Sequence, residues 1–467
     1  MYACLTLSIR YAPPSVLRVV QFCHIQSDSV DCRSKMVVTC DIQFNQNEFG
    51  TYFAGQLVDG SVVLKADKPK NVKAVILNIS GFAVTKWREK HLGKKRHFSG
   101  REDYMESKTY LMGSETSQNF TIQTGTHTYN FACKLPENCP TSFEGLHGCV
   151  RYIVKVTLVI PWKFNQTYTR GFTVMKMLDL NYESPQLKIP ITSENYRSYC
   201  CGPCKTEPLK MQVQLPQAGY VPGQRIPVNA LVINNTSIPV AEVRYALVML
   251  VRYSSPAPAI HTCLERITMT TAKSESVLRN CTRSLTQELL VPATPPTCLR
   301  SCSIIRISYQ VEVEARMRGW YSSQTITVPV LIGNVPLWQT PPIIQQQPRS
   351  SRMPAFTEEV LLQGGGLVKG GEQQTVTEVV EEQDIAVVDV LSPVDIYPEL
   401  PPPSYEESSH TMRGDVNEDD LHAFGPCEFA PLYPVYALPL TLAPTAAVTP
   451  EPPRGVYINQ NFENDKA

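Results

Sequence analysis

A chain of 467 residues, 43% of them hydrophobic, is long enough for two or three domains and a sizeable buried core. Its 43 basic and 43 acidic side chains cancel, which speaks against the whole-molecule electrostatics of a nucleic-acid binder. The 15 cysteines are irregularly spaced, residues 1–26 lack the apolar centre of a signal peptide, and no stretch approaches the roughly 18–20 apolar residues of a membrane span. A cytoplasmic chain with reduced thiols is the expectation.

Residues 1–35, with Pro13-Pro14 and mixed polarity, are expected to be a disordered extension. From residue 36 onward, short strands recur about every ten residues between turn-forming glycines and prolines. Residues 58–64, 72–80 and 82–87 come first. A basic, polar run over residues 88–101 follows and reads as a loop, either merely solvated or in contact with acidic lipid or phosphate. Residues 120–122 and 128–131 resume the pattern. Residues 148–160 put Val150, Tyr152, Val154, Val156 and Leu158 on one face, the period of two of a half-buried strand, with 168–178 as the expected partner.

Pro185 and Pro190 then interrupt the pattern. Strands restart at 209–215, 226–233, 240–252, 264–271, 304–316 and 324–332. No amphipathic helix of roughly 10–15 residues separates neighbouring strands, which argues against a parallel α/β sheet. An all-β chain with two β-sandwiches, at 36–190 and 191–338, accounts for the pattern.

Residues 339–467 differ in character. Residues 351–467 carry about twenty acidic and about five basic side chains, among proline clusters and paired glycines. Such a segment buries too little apolar area to offset its ordering entropy and is expected to be a disordered acidic, Pro-rich tail. It contains Pro402-Pro403-Ser404-Tyr405, a PPxY sequence. Consecutive prolines hold φ near the polyproline II value, so the bound shape is largely present before binding. An aromatic groove can take the paired pyrrolidine rings and a neighbouring pocket the tyrosine, which is how WW domains recognise peptides. Pro402, Pro403 and Tyr405 are the expected WW-binding residues. Ala430-Pro431-Leu432-Tyr433 keeps only Pro431 and Tyr433 of that pattern and is expected to be a weak second docking site.

Other chemistries fit less well. Cys201-Gly202-Pro203-Cys204 has thioredoxin-type spacing, but Pro208 and a strand follow where a pKa-lowering helix N-terminus is needed. Cys200, Cys201 and Cys204 could meet Cys298 and Cys302 at a structural zinc, yet nothing in the sequence shows them converging, and free cysteines under or between strands are the default. The eight histidines show no metal-ligand spacing, and no nucleophile elbow, Walker or Rossmann glycine pattern occurs. No catalytic residue, metal or cofactor is expected.

Several phrases together resemble one family. Tyr52-Phe53-Ala54-Gly55-Gln56, Ser142-Phe143-Glu144-Gly145, Gly148-Cys149-Val150-Arg151-Tyr152 and Leu178-Asp179-Leu180-Asn181 are similar to the N-terminal domain of arrestins. Gly219-Tyr220-Val221-Pro222-Gly223-Gln224, Asn234-Asn235-Thr236-Ser237 and Gly333 with Pro336-Leu337 resemble the C-terminal one. The order is collinear from about residue 40 to 338, and the chain is identified as resembling the arrestin-domain-containing proteins, or α-arrestins. The resemblance implies two tandem immunoglobulin-like sandwiches and a PPxY tail. It further implies a non-enzymatic trafficking adaptor that joins the WW domains of a HECT-type ubiquitin ligase to cytoplasmic tails of membrane receptors or transporters. Peripheral membrane association, at plasma membrane and endosomes, goes with that role, and nucleic acid does not. A redox regulator resembling thioredoxin-interacting protein and a retromer-like sorting scaffold are the alternatives.

Overall fold

The computed structural model describes residues 38–337 apart from 46, 48, 92, 115–118 and 200–206, together with 401–408 and 429–437. The extension 1–35, most of the tail, and Cys200, Cys201 and Cys204 lie outside the described residues.

The first sandwich is built from β1 (Val38–Phe44), β2 (Thr51–Phe53), β3 (Leu57–Ala66), β4 (Lys70–Val72), β5 (Ala74–His91), β6 (Lys94–Gly113), β7 (Phe120–Ile122), β8 (Gly125–Lys134), β9 (Phe143–Gly145), β10 (Gly148–Val159) and β11 (Gln166–Met175). One sheet runs β1-β3-β8 and the facing one β2-β11-β10-β5-β6, with β9 on β10 and a small β4-β7 ribbon. The second sandwich uses β12 (Ile191–Arg197), β13 (Leu209–Leu215), β14 (Gly219–Tyr220), β15 (Arg225–Asn234), β16 (Val240–Ser255), β17 (His261–Ser274), β18 (Cys281–Leu290), β19 (Ile305–Met317) and β20 (Gln324–Ile332). Its sheets run β12-β13-β15-β18 and β14-β20-β19-β16-β17. Among the described residues a single 3-10 turn, Pro185–Lys188, is the helical element, and it sits at the proline-marked break.

Alternation is what makes these strands. In β3, Val58, Val62 and Leu64 face inward and are fully buried; in β19, Ile307, Val311 and Val313 do the same. Burying a valine or leucine contributes about 1.5–3 kcal/mol, so the interleaved inner faces outweigh the polar outer ones. Strand β10 departs from alternation, because Cys149, Arg151 and Ile153 on its other face are buried as well. Arg151 is tolerated there by a two-pronged contact with Glu144, Nε to Oε1 at 2.5 Å and Nη2 to Oε2 at 2.8 Å.

Besides the short strands β2, β9 and β14, three larger features escaped the sequence pattern. The run 88–101 is not a loop: it closes a long β5-β6 hairpin, with Lys90 opposite Lys95. Trp87 and Phe98 hold it by stacking at 5.4 Å between ring centroids. Strands β12 and β18 are edge strands, the first without a buried residue and the second with Leu289 alone, so neither shows apolar alternation.

Both sandwiches open with one local device. Gly55 and Gly223 take positive φ, 88° and 92°, and let the next residue fold back. Gln56 Oε1 then accepts from Phe53 N at 2.7 Å, and Gln224 Oε1 from Val221 N at 2.9 Å. The chain enters each turn beside the last long strand of its sandwich, and both pairings, β2-β11 and β14-β20, are parallel.

Hydrogen bonds and ring stacking join the sandwiches where they meet. Thr85 Oγ1 donates to Ser254 O at 2.9 Å, Ser255 Oγ to Ser99 O at 2.7 Å, and His261 stacks on Phe98 at 4.5 Å. Further along, Asn334 is 1% exposed and joins the end of the first sandwich to the end of the second. Its Oδ1 accepts from Leu178 N at 2.6 Å and its Nδ2 donates to Lys176 O at 2.8 Å. Asn334→Ala leaves that partly buried amide and carbonyl without their side-chain partner, at a cost of about 1–2 kcal/mol. Equilibrium urea unfolding is the check, and a midpoint matching the parent is the opposite outcome.

Candidate functional site

Two short tail segments form a ribbon of β21 (Ser404–Glu407) and β22 (Leu432–Val435), and this ribbon lies against both sandwiches. The pairing is antiparallel, with Tyr405 opposite Pro434 and Glu406 opposite Tyr433. The sequence places both segments in a tail without packed structure; at these residues the chain is packed. The cause is a dense apolar cluster, Pro431-Leu432-Tyr433-Pro434-Val435-Tyr436, that follows an acidic stretch of the tail.

Tyr433 and Tyr436 are each 1% exposed. On the first sandwich, the Tyr433 hydroxyl donates to Ser142 O at 3.0 Å, and Leu432 N donates to Thr173 Oγ1 at 3.2 Å. On the second, the Tyr436 hydroxyl donates to Asn334 O at 2.6 Å and Tyr436 N donates to Pro222 O at 3.0 Å. Tyr436 also belongs to a small core with Leu180, Val221 and Val335. Burial pushes both phenols above their ordinary range, so the hydroxyls stay protonated and serve as donors.

The expected WW-binding residues divide between exposed and packed. Pro402 is exposed and Pro403 half-buried. Tyr405 is half-buried, its ring 5.8 Å from that of Phe49, and burial raises its phenol. Pro431 and Tyr433, the expected second docking site, are both buried, and Tyr433 is committed to Ser142. Reading the sequence overlooked Phe429 and Tyr436; the available signal was the aromatic cluster after residue 428, which ligand-motif spacing alone did not register.

Close approach of the tail needs two positions without side chains. A Cβ at Gly171 would lie 2.5 Å from Phe429 Cδ2, and one at Gly223 would lie 2.1 Å from Tyr436 O.

Of the zinc candidates, Cys298 and Cys302 are described. Cys298 Sγ lies 3.2 Å from Ser301 Oγ, and Ile305 N donates to Cys302 Sγ at 3.2 Å. Among the described residues no group of three or more His, Cys, Asp or Glu side chains is arranged to hold a metal ion.

Two sandwiches of this topology, joined at Asn334 and crossed by a tail segment, define an arrestin-type body. The family models agree: arrestin (or S-antigen), N-terminal domain, matches residues 40–181, and the C-terminal domain matches 205–337. The chain belongs to the arrestin-domain-containing (α-arrestin) proteins, and an adaptor-like role goes with that membership. It is 29% identical to arrestin domain-containing protein 17 of Caenorhabditis elegans over 85% of this chain and 98% of the relative. It is 25% identical to mouse arrestin domain-containing protein 4, over 64% of this chain and 72% of the relative. With mouse arrestin domain-containing protein 1 it shares 25% identity over 47% of this chain and 49% of the relative.

Desolvation by burial pushes the thiols of Cys40, Cys149 and Cys302 from 9.0 up to about 12. The folded state therefore holds protons on these thiols that the unfolded chain releases near pH 9. Their contribution to stability is complete below that pH and is lost as pH rises towards 12. Iodoacetamide at pH 8 should leave the three unlabelled in the folded protein and label them in urea. Urea midpoints should fall between pH 9 and 11.

Proposed function

We propose that this protein is a non-catalytic trafficking adaptor. Its Pro402-Pro403-Ser404-Tyr405 motif docks a WW domain of a HECT-type ubiquitin ligase, and its arrestin body engages the cytoplasmic tail of a membrane receptor or transporter. The observation that carries the reading is a PPxY motif on the tail of an α-arrestin body. Ligase and cargo are brought to one chain, and ubiquitination of the cargo directs its endocytosis or sorting. The work done is linkage: it raises the local concentration of ligase around cargo lysines and makes or breaks no bond itself.

A cytoplasmic protein recruited to plasma membrane and endosomes suits the surface charge. The β5-β6 hairpin carries exposed Lys86, Arg88, Lys90, Lys94, Lys95 and Arg96. Lys90 sits directly across from Lys95, an arrangement that costs stability in an isolated hairpin. Anionic lipid or a phosphorylated cargo tail relieves that repulsion. The redox alternative draws no support from Cys133, Cys139, Cys149 or Cys302, since burial raises these thiols away from the reactive thiolate. The PPxY motif likewise has no part in a retromer-like scaffold.

A synthetic peptide of residues 398–409, titrated against an isolated WW domain, tests the ligase contact. Tyr405→Ala should weaken binding at least about tenfold, equivalent to ~1.4 kcal/mol. Undiminished binding removes Tyr405 from the interface and the ligase reading with it.

A further inference from the structure

The seam between the sandwiches presents a peptide-binding surface made by both. Its first-sandwich side offers the Ser142 carbonyl, the Thr173 hydroxyl and the bare backbone of Gly171; its second-sandwich side offers the Pro222 and Asn334 carbonyls and Gly223. The segment's contacts fall on three backbone carbonyls and the Thr173 hydroxyl; Pro222 O takes the Tyr436 backbone N–H, while the Ser142 and Asn334 carbonyls each take a side-chain hydroxyl, which a tyrosine supplies and a phenylalanine does not. The spacing is equally specific. Tyr433 reaches the first sandwich and Tyr436 the second, so an extended segment with tyrosines three residues apart spans the seam.

We infer that this crevice is a binding site for an extended Tyr-Pro-x-Tyr segment, filled by the chain's own residues 429–437, and that its occupancy withholds Tyr405 from WW domains. The second half rests on the WW reading proposed above. The coupling is structural. Bound residues 432–435 supply β22, and β22 pairs with Ser404–Glu407, turning the C-terminal half of the PPxY motif into a β-strand. Tyr405 then lies near Phe49, with Ser404 Oγ 3.4 Å from Val435 O. A WW groove needs the same Tyr405 free, at the end of a polyproline II segment. One tyrosine cannot occupy both places. Binding of a WW domain therefore requires the ribbon to part, and the apparent affinity falls by the fraction of molecules in which it has parted.

The experiment uses the full chain, as wild type, as Tyr433→Ala/Tyr436→Ala and as Gly171→Ala. The double variant lacks the occupant's two anchors, and Gly171→Ala crowds Phe429 from the body side without touching the tail. In one arm an isolated WW domain is titrated, with the 398–409 peptide as reference. Wild type should bind about tenfold or more weakly than the peptide, and both variants should approach it. Equal affinity of peptide, wild type and variants overturns the withholding of Tyr405. In the other arm, a fluorescent peptide of residues 429–437 is added to wild type and to the double variant. Saturable uptake by the double variant, at least about tenfold tighter than by wild type, is expected because the crevice has been emptied. Absence of uptake by the double variant overturns the crevice as a binding site. A 398–409 peptide that fails to bind WW domains overturns the ligase reading instead, and the fluorescent-peptide arm still decides the crevice.

Discussion

One buried side chain holds three parts of this molecule in a single arrangement. Asn334 takes both polar atoms of its amide to the backbone at Lys176 and Leu178, where the first sandwich ends, and its own carbonyl receives the Tyr436 hydroxyl of the tail. Asn334 and Tyr436 are shut off from water, and a buried amide or hydroxyl without a partner costs more than a made hydrogen bond contributes. The relative placement of the sandwiches and the seat of the tail are thus satisfied together at one residue. Nearby, Asp179 and Val335 form a parallel bridge, and Asn181 Nδ2 donates to Pro336 O at 2.8 Å, which extends the same join.

Each sandwich has an interior dense enough to define its own fold; the seam between them combines hydrogen bonds with a small apolar cluster of Leu180, Val221, Val335 and Tyr436. Serine, threonine and backbone groups meet across it, with the stacked Trp87, Phe98 and His261 as its aromatic part. The hydrogen-bonded part of such a join gives direction and register more than raw affinity. It also leaves carbonyls at Ser142 and Pro222 open to a third strand of chain, which is where the tail finds its partners. The arrestin body is therefore also the seat of a segment of its own tail.

Much of this was legible in the residue order. Strands such as β3, β10 and β19 announce themselves because one face is buried and side chains alternate. Strands β12 and β18 do not, because edge strands keep nearly all their side chains in water. The basic hairpin looked like a loop because its charges outnumber the two rings that anchor it. Several of the phrases that carried the family resemblance prove to line the seam: Ser142 beside Tyr433, the stretch 178–181 beside 333–336, and Pro222 beside Tyr436. Local spacing identified these residues but held no information about their meeting, since that depends on contacts more than a hundred residues apart. For the same reason Tyr405 read as a free ligand. Nothing local shows that a strand some thirty residues later will pair with it.

The occupant of the crevice and the crevice itself belong to one polypeptide, and this sets the scale against which any competitor works. A covalently tethered segment faces its site at an effective concentration that reaches the millimolar range for short tethers. That concentration is the same whether a cell holds few copies of the protein or many. The threshold at which the ribbon gives way is consequently written into the chain, and only the supply of outside partners can move the response along it.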